Sequence, residues 1–332
     1  MKLKSRLRYL QLGLLSFTLV GFVLSLTLGP VRTTLAEVIR AILFRSGELS
    51  DIILGLRLPR ALLAYLVGAC LSLSGAILQG YFRNPLADPF ILGASSGASL
   101  GAVLSLQLGL AVNLAGLSAQ SLIALFTSLL LVSGVYLVSE RRHFQTAESL
   151  LLTGIAAGAL ASALTSFLLF RRADAYEQAV FWLLGSFSLA DWQQVWLISG
   201  SLVVGILFAQ YLAREMNLLS LGDETARSLG CAVKTVRKIF LILATLLASF
   251  SVSVAGIIGF VGLIVPHAIR LIIGPDHRRL FLHSALAGGL FLLISDLLAR
   301  SIFAPSELPV GVVTAAFGAP FFIYLLNRSR ST

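Results

Sequence analysis

"IFLILATLLASFSVSVAGIIGFVGLIVPHAIRLII", residues 239–273, decides how often this chain crosses a bilayer. The run holds 35 consecutive residues of largely apolar character. A transmembrane helix needs about 20. Gly256, Gly259 and Gly262 offer a place to turn, so the run predicts two spans, 239–254 and 257–273.

The rest of the chain has the same character. Its 332 residues are 57% hydrophobic and 12% charged, with a mean hydropathy of +0.93. Soluble domains carry about 25% charged residues. Further apolar runs predict spans at 9–29, 61–80, 91–109, 118–138, 149–170, 192–212, 283–302 and 309–326. Lipid offers backbone polar groups no partner but the helix itself, so the expectation is an all-α membrane protein of about ten helices in one domain, 1–332. The alternating segments of about ten residues that a β-barrel requires are absent. Lys2, Lys4, Arg6 and Arg8 precede the first run, which exceeds the roughly 7–15-residue core of a cleaved signal; a permanent first span is expected.

Charge fixes the orientation. With both termini cytoplasmic, 17 of the 25 basic residues lie inside, including all four lysines, Arg141, Arg142, Arg328 and Arg330. Outside remain Arg32, Arg40, Arg45, Arg57, Arg60, Arg171, Arg172 and Arg300. Seven acids fall inside and eight outside, so the basic excess is the positive-inside bias of a membrane protein. It calls for no nucleic-acid partner. Treating 239–273 as one span would move Arg328 and Arg330 outside, against that bias.

Cys70 and Cys231 fall in a span and a cytoplasmic loop and imply no disulfide framework. His143, His267, His277 and His283 lack ligand spacing, so no metal is expected. No GxxxxGK[ST] motif occurs, so the chain is not expected to hydrolyse nucleotide through a P-loop, and no bound cofactor is expected. Charges sit in loops and near span ends, with Asp296 and Arg300 four apart and able to neutralise each other. Proton and ion relays need ionisable groups deep in the membrane. Their scarcity argues against a secondary transporter, a channel or a membrane enzyme. Energy then has to come from another subunit.

Small residues recur every fourth position: Gly68, Ser72, Ala76 and Gly80; Gly93, Gly97 and Gly101; Gly154, Gly158, Ser162 and Ser166. Such faces let helices approach closely. Close packing and the lining of a wide pathway both fit, and spacing does not separate them. The second ladder follows a polar corner, Asn84, Pro85, Asp88 and Pro89, which reads as a tight inner turn. The longest cytoplasmic loop, 213–237, contains "GDETARSLG". It reads as a short helix with Asp223 and Glu224 at its positive end, Arg227 toward the other and Gly230 as its stop. Leu221, Ala226 and Leu229 would form an apolar edge in water, suited to a partner.

Six stretches now resemble a known family: "RLPR" (57–60), "SGAILQGYFRNPLADPFILGASSGASLGA" (74–102), "LGDETARSLG" (221–230), "GIIGFVGLIVPHAIR" (256–270), "DHRRL" (276–280) and "ELPVGVVTAAFGAPFFIYLL" (307–326). Together they look like the permease subunits of type II ABC importers for ferric siderophores, haem and cobalamin. The resemblance implies a homodimer with the path along its interface, two cytoplasmic ATPase subunits that use ATP, and an extracytoplasmic binding protein. It makes Leu221, Gly222, Asp223, Glu224, Ala226, Arg227, Leu229 and Gly230 a coupling helix for the ATPase. It makes Arg57, Arg60 and Arg300 docking residues for the binding protein. An iron complex is the expected cargo, with cobalamin next.

Overall fold

One helix organises the molecule. In the computed structural model α3, Leu58–Tyr81, is buried at every residue from Val67 to Tyr81. A helix apolar all round belongs at the centre of a bundle. The structure describes residues 2–329, apart from 30, 32, 46, 48, 111–112, 115–116, 142–146 and 172–175. Arg32, Arg142, His143, Arg172 and Arg330 therefore lie outside the described residues.

Each of the ten expected spans has its helix. They are α1 (Lys2–Thr27), α3, α4 (Ala94–Gln107), α5 (Ala119–Arg141), α6 (Ala147–Arg171), α8 (Trp192–Tyr211), α11 (Val233–Ala255), α12 (Val261–Ile273), α13 (His277–Ser301) and α14 (Val310–Ser329). Among the described residues seven are long and apolar enough to cross alone; α4 and α12 are shorter, and in α14 the described apolar part is Val310–Tyr324. The 13 residues of α12 span roughly 20 Å at 1.5 Å each, so it cannot cross the hydrocarbon alone. The break between α11 and α12 falls at residues 256–260, where Gly256 and Phe260 take positive φ angles of 71° and 70°. Pieces that no span anticipated complete the order: α2 (Leu35–Phe44), α7 (Tyr176–Leu183), α9 (Ala213–Ser220), α10 (Asp223–Ser228) and a two-residue hairpin, β1 (Asn113–Leu114) with β2 (Leu117–Ser118). α3 also starts earlier than expected, since a π-helical stretch, Ile52–Arg57, runs straight into it.

The glycine ladders are contact faces. A Cβ on Gly68 would stand 2.3 Å from the Gly288 carbonyl oxygen, and one on Gly288 would stand 2.3 Å from Ser72 Cβ, so α3 and α13 touch backbone to backbone. A Cβ on Gly75 would lie 1.9 Å from the Gly262 oxygen on α12. Ala76 is fully buried, and Gly80 makes room for His277 and Met216. Gly97 and Gly101 admit the α5 backbone at Thr127 and Ile123. Gly154 on α6 admits the backbone of Ile91 and Leu92. Gly158 and Ser162 face Ser96, whose Oγ accepts from Ser162 Oγ at 3.3 Å. Polar bonds add to these contacts. Ser74 donates to the Ala244 oxygen at 2.7 Å, and Ser128 joins the Ala94 oxygen on α4 to Ser249 on α11. Without a hydrophobic drive between helices in lipid, such close contacts hold the bundle.

Candidate functional site

The inner corner begins where α3 ends. Asn84 Oδ1 accepts from the Leu86 amide at 2.9 Å, and Asp88 Oδ1 accepts from the Phe90 amide at 2.8 Å. Pro89 opens a 3-10 turn, Pro89–Leu92, and Gly93, at φ 90°, redirects the chain into α4. Pro89 then rests on Gly262, where a Cβ would come within 2.6 Å of its ring. Burial pushes the Asp88 carboxyl up to about 6 despite the opposing bond from Phe90.

α10 stands against this corner. Asp223, its first residue, pairs with Arg83 of the corner and with Arg237 of α11, the latter at 2.8 Å. Burial would raise its pKa, but the Arg237 hydrogen bond and the charges of Arg237, Arg83 and Arg227 outweigh that and hold the carboxyl below its usual value. Arg237 also donates to the Tyr81 oxygen at 3.0 Å and lies 4.9 Å from the centre of the Tyr81 ring. Gly222 and Gly230, at φ 114° and 84°, bound the element as expected. One expectation changes. Ala226 faces inward and is fully buried, whereas Leu221 and Leu229 are more than half exposed. The free apolar edge is therefore Leu221 and Leu229 without Ala226. Glu224 and Arg227 lie on the exposed side.

Behind α10, α9 is clamped to α13. Asn217 Nδ2 donates to Asp276 at 2.7 Å, while its oxygen accepts from the His277 amide at 3.0 Å and faces His277 Nδ1 at 2.8 Å. Arg83, Asn217 and Arg237 were missed in the sequence. Their partners are loop and helix-end residues, 140 positions away for Arg83 and up to 156 for Arg237.

The outer arginines also differ from expectation. Arg57 is buried and donates to the Leu26 oxygen at 2.7 Å, to Thr33 Oγ1 at 2.8 Å and to the Val31 oxygen. Arg300 is buried too, bonded to Ser25 and 3.7 Å from Asp296. Neither guanidinium is presented to a partner in this conformation, because both satisfy carbonyls at the end of α1 that α1 cannot satisfy itself. Arg60 forks onto the fully buried Asp296 at 2.8–3.1 Å and reaches Glu307 at 2.9 Å, with 13% of its side chain exposed. The expected Asp296–Arg300 pair is present, and Arg60 joins it.

A cavity of about 1030 Å3 opens on the outer side between α4, α5, α7 and α8. Its described lining is rich in amides and hydroxyls, with two carboxylates, Glu177 and Asp191, and no cation. Asp191 caps α8 through the Gln194 amide at 2.7 Å, and the buried Gln194 Oε1 accepts no hydrogen bond among the described residues.

A bundle of broken helices with a braced cytoplasmic helix and an outer polar cavity defines a membrane transport subunit. The model of the FecCD transport family matches residues 17–328, and the chain belongs to that family. It is 44% identical over 288 residues to the cobalamin import system permease protein BtuC of Halobacterium salinarum, covering 86% of this chain and 76% of that one. It is 42% identical to the hemin transport system permease protein HmuU of Yersinia pestis, over 83% of each. A solved structure assigned to the metal-chelate type of ABC transporter, in an inward-facing conformation, superposes with a TM-score of 0.86 at 31% identity, covering 97% of this chain and 99% of that one.

Proposed function

We propose that this chain is the permease of a binding-protein-dependent ABC importer, working as a homodimer with two ATPase subunits below it. The carrying observation is α10: a short helix braced to the membrane domain by Asp223, with Leu221 and Leu229 left in water. A six-residue helix has little reason to persist alone. Braced as it is, it offers a rigid apolar edge to an ATPase and passes its movement to α3 and α11. On the outer face, Arg60 is the proposed contact for the binding protein, an incoming carboxylate replacing Glu307, the more exposed of its two partners. The test is uptake in proteoliposomes. The chain with ATPase and binding protein should accumulate cargo only with ATP inside; concentrative uptake by the chain alone under a proton gradient would defeat the proposal.

The cargo is a bulky metal chelate. The names of the relatives include both cobalamin and haem, so the outer cavity bears on the choice. Its two carboxylates and its orphan Gln194 acceptor favour a cargo that donates hydrogen bonds and lacks net negative charge. That supports an amide-bearing corrinoid or an uncharged iron chelate over haem with its two carboxylates. Identifying the ligand that co-purifies with the partner binding protein decides among them.

A further inference from the structure

A second cavity, of about 420 Å3, lies between the inner ends of α3, α5 and α11 and the flank of α10. Its described lining holds five cations, Arg83, Arg227, Lys234, Arg237 and Lys238, against the two carboxylates of Asp223 and Glu140. Both carboxylates are engaged: Asp223 by Arg83 and Arg237, and Glu140 by the Tyr136 hydroxyl. Among the described residues, Arg227, Lys234 and Lys238 have no carboxylate within ion-pair distance. The buried Nε of Arg237 likewise donates to nothing described. Bracing α10 uses one carboxylate and two arginines, which leaves this cationic surplus unexplained. An unpaired donor beside several cations is a site for a multivalent oxyanion, and phosphate matches both the guanidinium fork and the ammonium point charges.

The surroundings indicate which phosphate. Phe82 and Leu150 give the wall an apolar part. Lys238 Nζ lies 6.0 Å from the centre of the Tyr136 ring, and tyrosines favour the level of lipid headgroups. Leu137 and Val138, beside the cavity-lining Tyr136 and Ser139 on α5, are about half exposed and apolar. Basic pockets between spans on the cytoplasmic side are where anionic headgroups bind. We propose that this cavity holds the phosphate of an anionic phospholipid of the inner leaflet, its acyl chains lying along α5 and α6. The site does not depend on the import reading. A bound phosphate competes with Asp223 for Arg83 and Arg237, so occupancy loosens the brace on α10.

The test is native mass spectrometry of the full chain released from bilayer discs of phosphatidylglycerol or phosphatidylcholine. Wild type should retain phosphatidylglycerol selectively. The double variant Lys234→Gln/Lys238→Gln should hold it about thirtyfold less well, from roughly 1 kcal/mol for each basic side chain near the surface. Lys234→Arg/Lys238→Arg should retain it, and Asp223→Asn, which frees two guanidinium groups, should retain more. Equal retention by the glutamine variant, or equal retention of phosphatidylcholine, overturns the site. Loss in the arginine variant also overturns it, since charge is then not the cause. Full displacement by excess inorganic phosphate assigns the cavity to a soluble anion, and exclusion of lipid by a bound ATPase subunit assigns it to a protein surface; either result overturns the lipid.

Discussion

Gly75→Ala asks whether the bundle rests on backbone contact. The new Cβ would sit 1.9 Å from the Gly262 oxygen and 2.5 Å from its carbonyl carbon. Ordinary contact begins near 3.4 Å, so α3 and α12 must part by more than 1 Å. Neither helix can give way easily: α3 is buried on all sides, and Gly262 is itself pressed between Pro89 and the Leu71 oxygen. Forcing a methyl group into a well-filled core costs about 1–3 kcal/mol, occasionally more. Against that, alanine favours a helix over glycine by about 1 kcal/mol. The same substitution at Gly158, where a Cβ would meet nothing nearer than Ser96 Oγ at 3.4 Å, isolates the helical gain. The assay is a thermal melt read by a thiol-reactive dye, because Cys70 and Cys231 are both free and buried and react only on unfolding. Net of the helical gain, Gly75→Ala should lose up to about 2 kcal/mol and melt a few °C below wild type, the shift per kcal/mol being no larger than the roughly 2–4 °C of a 150–250-residue chain. Gly158→Ala should match wild type or exceed it. If Gly75→Ala also melts at or above wild type, backbone contact between α3 and α12 is not what holds the bundle.

Other outcomes follow from single residues. Asp296→Ala leaves Arg300 and Arg60 without their shared buried carboxylate and should cost about 3–5 kcal/mol, read as a fall in melting temperature and in membrane yield. Leu229→Asp should leave the melt unchanged and uncouple ATP hydrolysis from uptake, whereas Ala226→Asp should lower the melt as well, since Ala226 is fully buried. Arg60→Glu sets a carboxylate against the buried Asp296, so it should lower the melt as well as uptake driven by the binding protein; unchanged affinity of the folded fraction for the binding protein at low salt removes Arg60 from the contact. Asp88 binds its proton more tightly folded, at about 6, than unfolded, at 3.8. The folded state therefore holds more protons between those values, and stability should fall as pH rises from about 4 to 7. Asp88→Asn keeps the cap on Phe90 and should flatten that part of the profile.

The spans were legible because lipid makes composition nearly sufficient. Even the fold-back at 256–260 was visible, as a run too long for one helix with glycines at the turn. α2 was missed because ten residues cannot span, though Thr34 and Glu37 carry a capping box that marks its start. The coupling element was readable from its local signals: acids first, glycine last, leucines between. The inward turn of Ala226 was not, because it depends on what α10 meets. The outer arginines show the same limit. A charge near a span end looks exposed, and only the tertiary structure brings Arg60 to Asp296, 236 positions away, or lays Arg57 over the end of α1. The small-residue ladders gave the contact faces but not the partners. Gly68 needed Gly288, and Gly75 needed Gly262, from the far half of the chain.

The fold-back at 256–260 also constrains how the protein is made. Its backbone leaves the helix inside the bundle and is met by other irregular segments. The Ser186 amide donates to the Ala255 oxygen at 2.9 Å, Val310 to Gly185 at 3.0 Å and Gly311 to Leu184 at 3.1 Å. Three chain reversals, at 184–186, 255–257 and 309–311, thus satisfy groups that hydrocarbon would leave bare. The Gly185 and Leu184 oxygens receive these donors only when the start of α14 arrives, more than 120 residues later in synthesis. The segment at 184–185 therefore completes its hydrogen bonding only after α14 is in place, its two oxygens waiting for these donors until then.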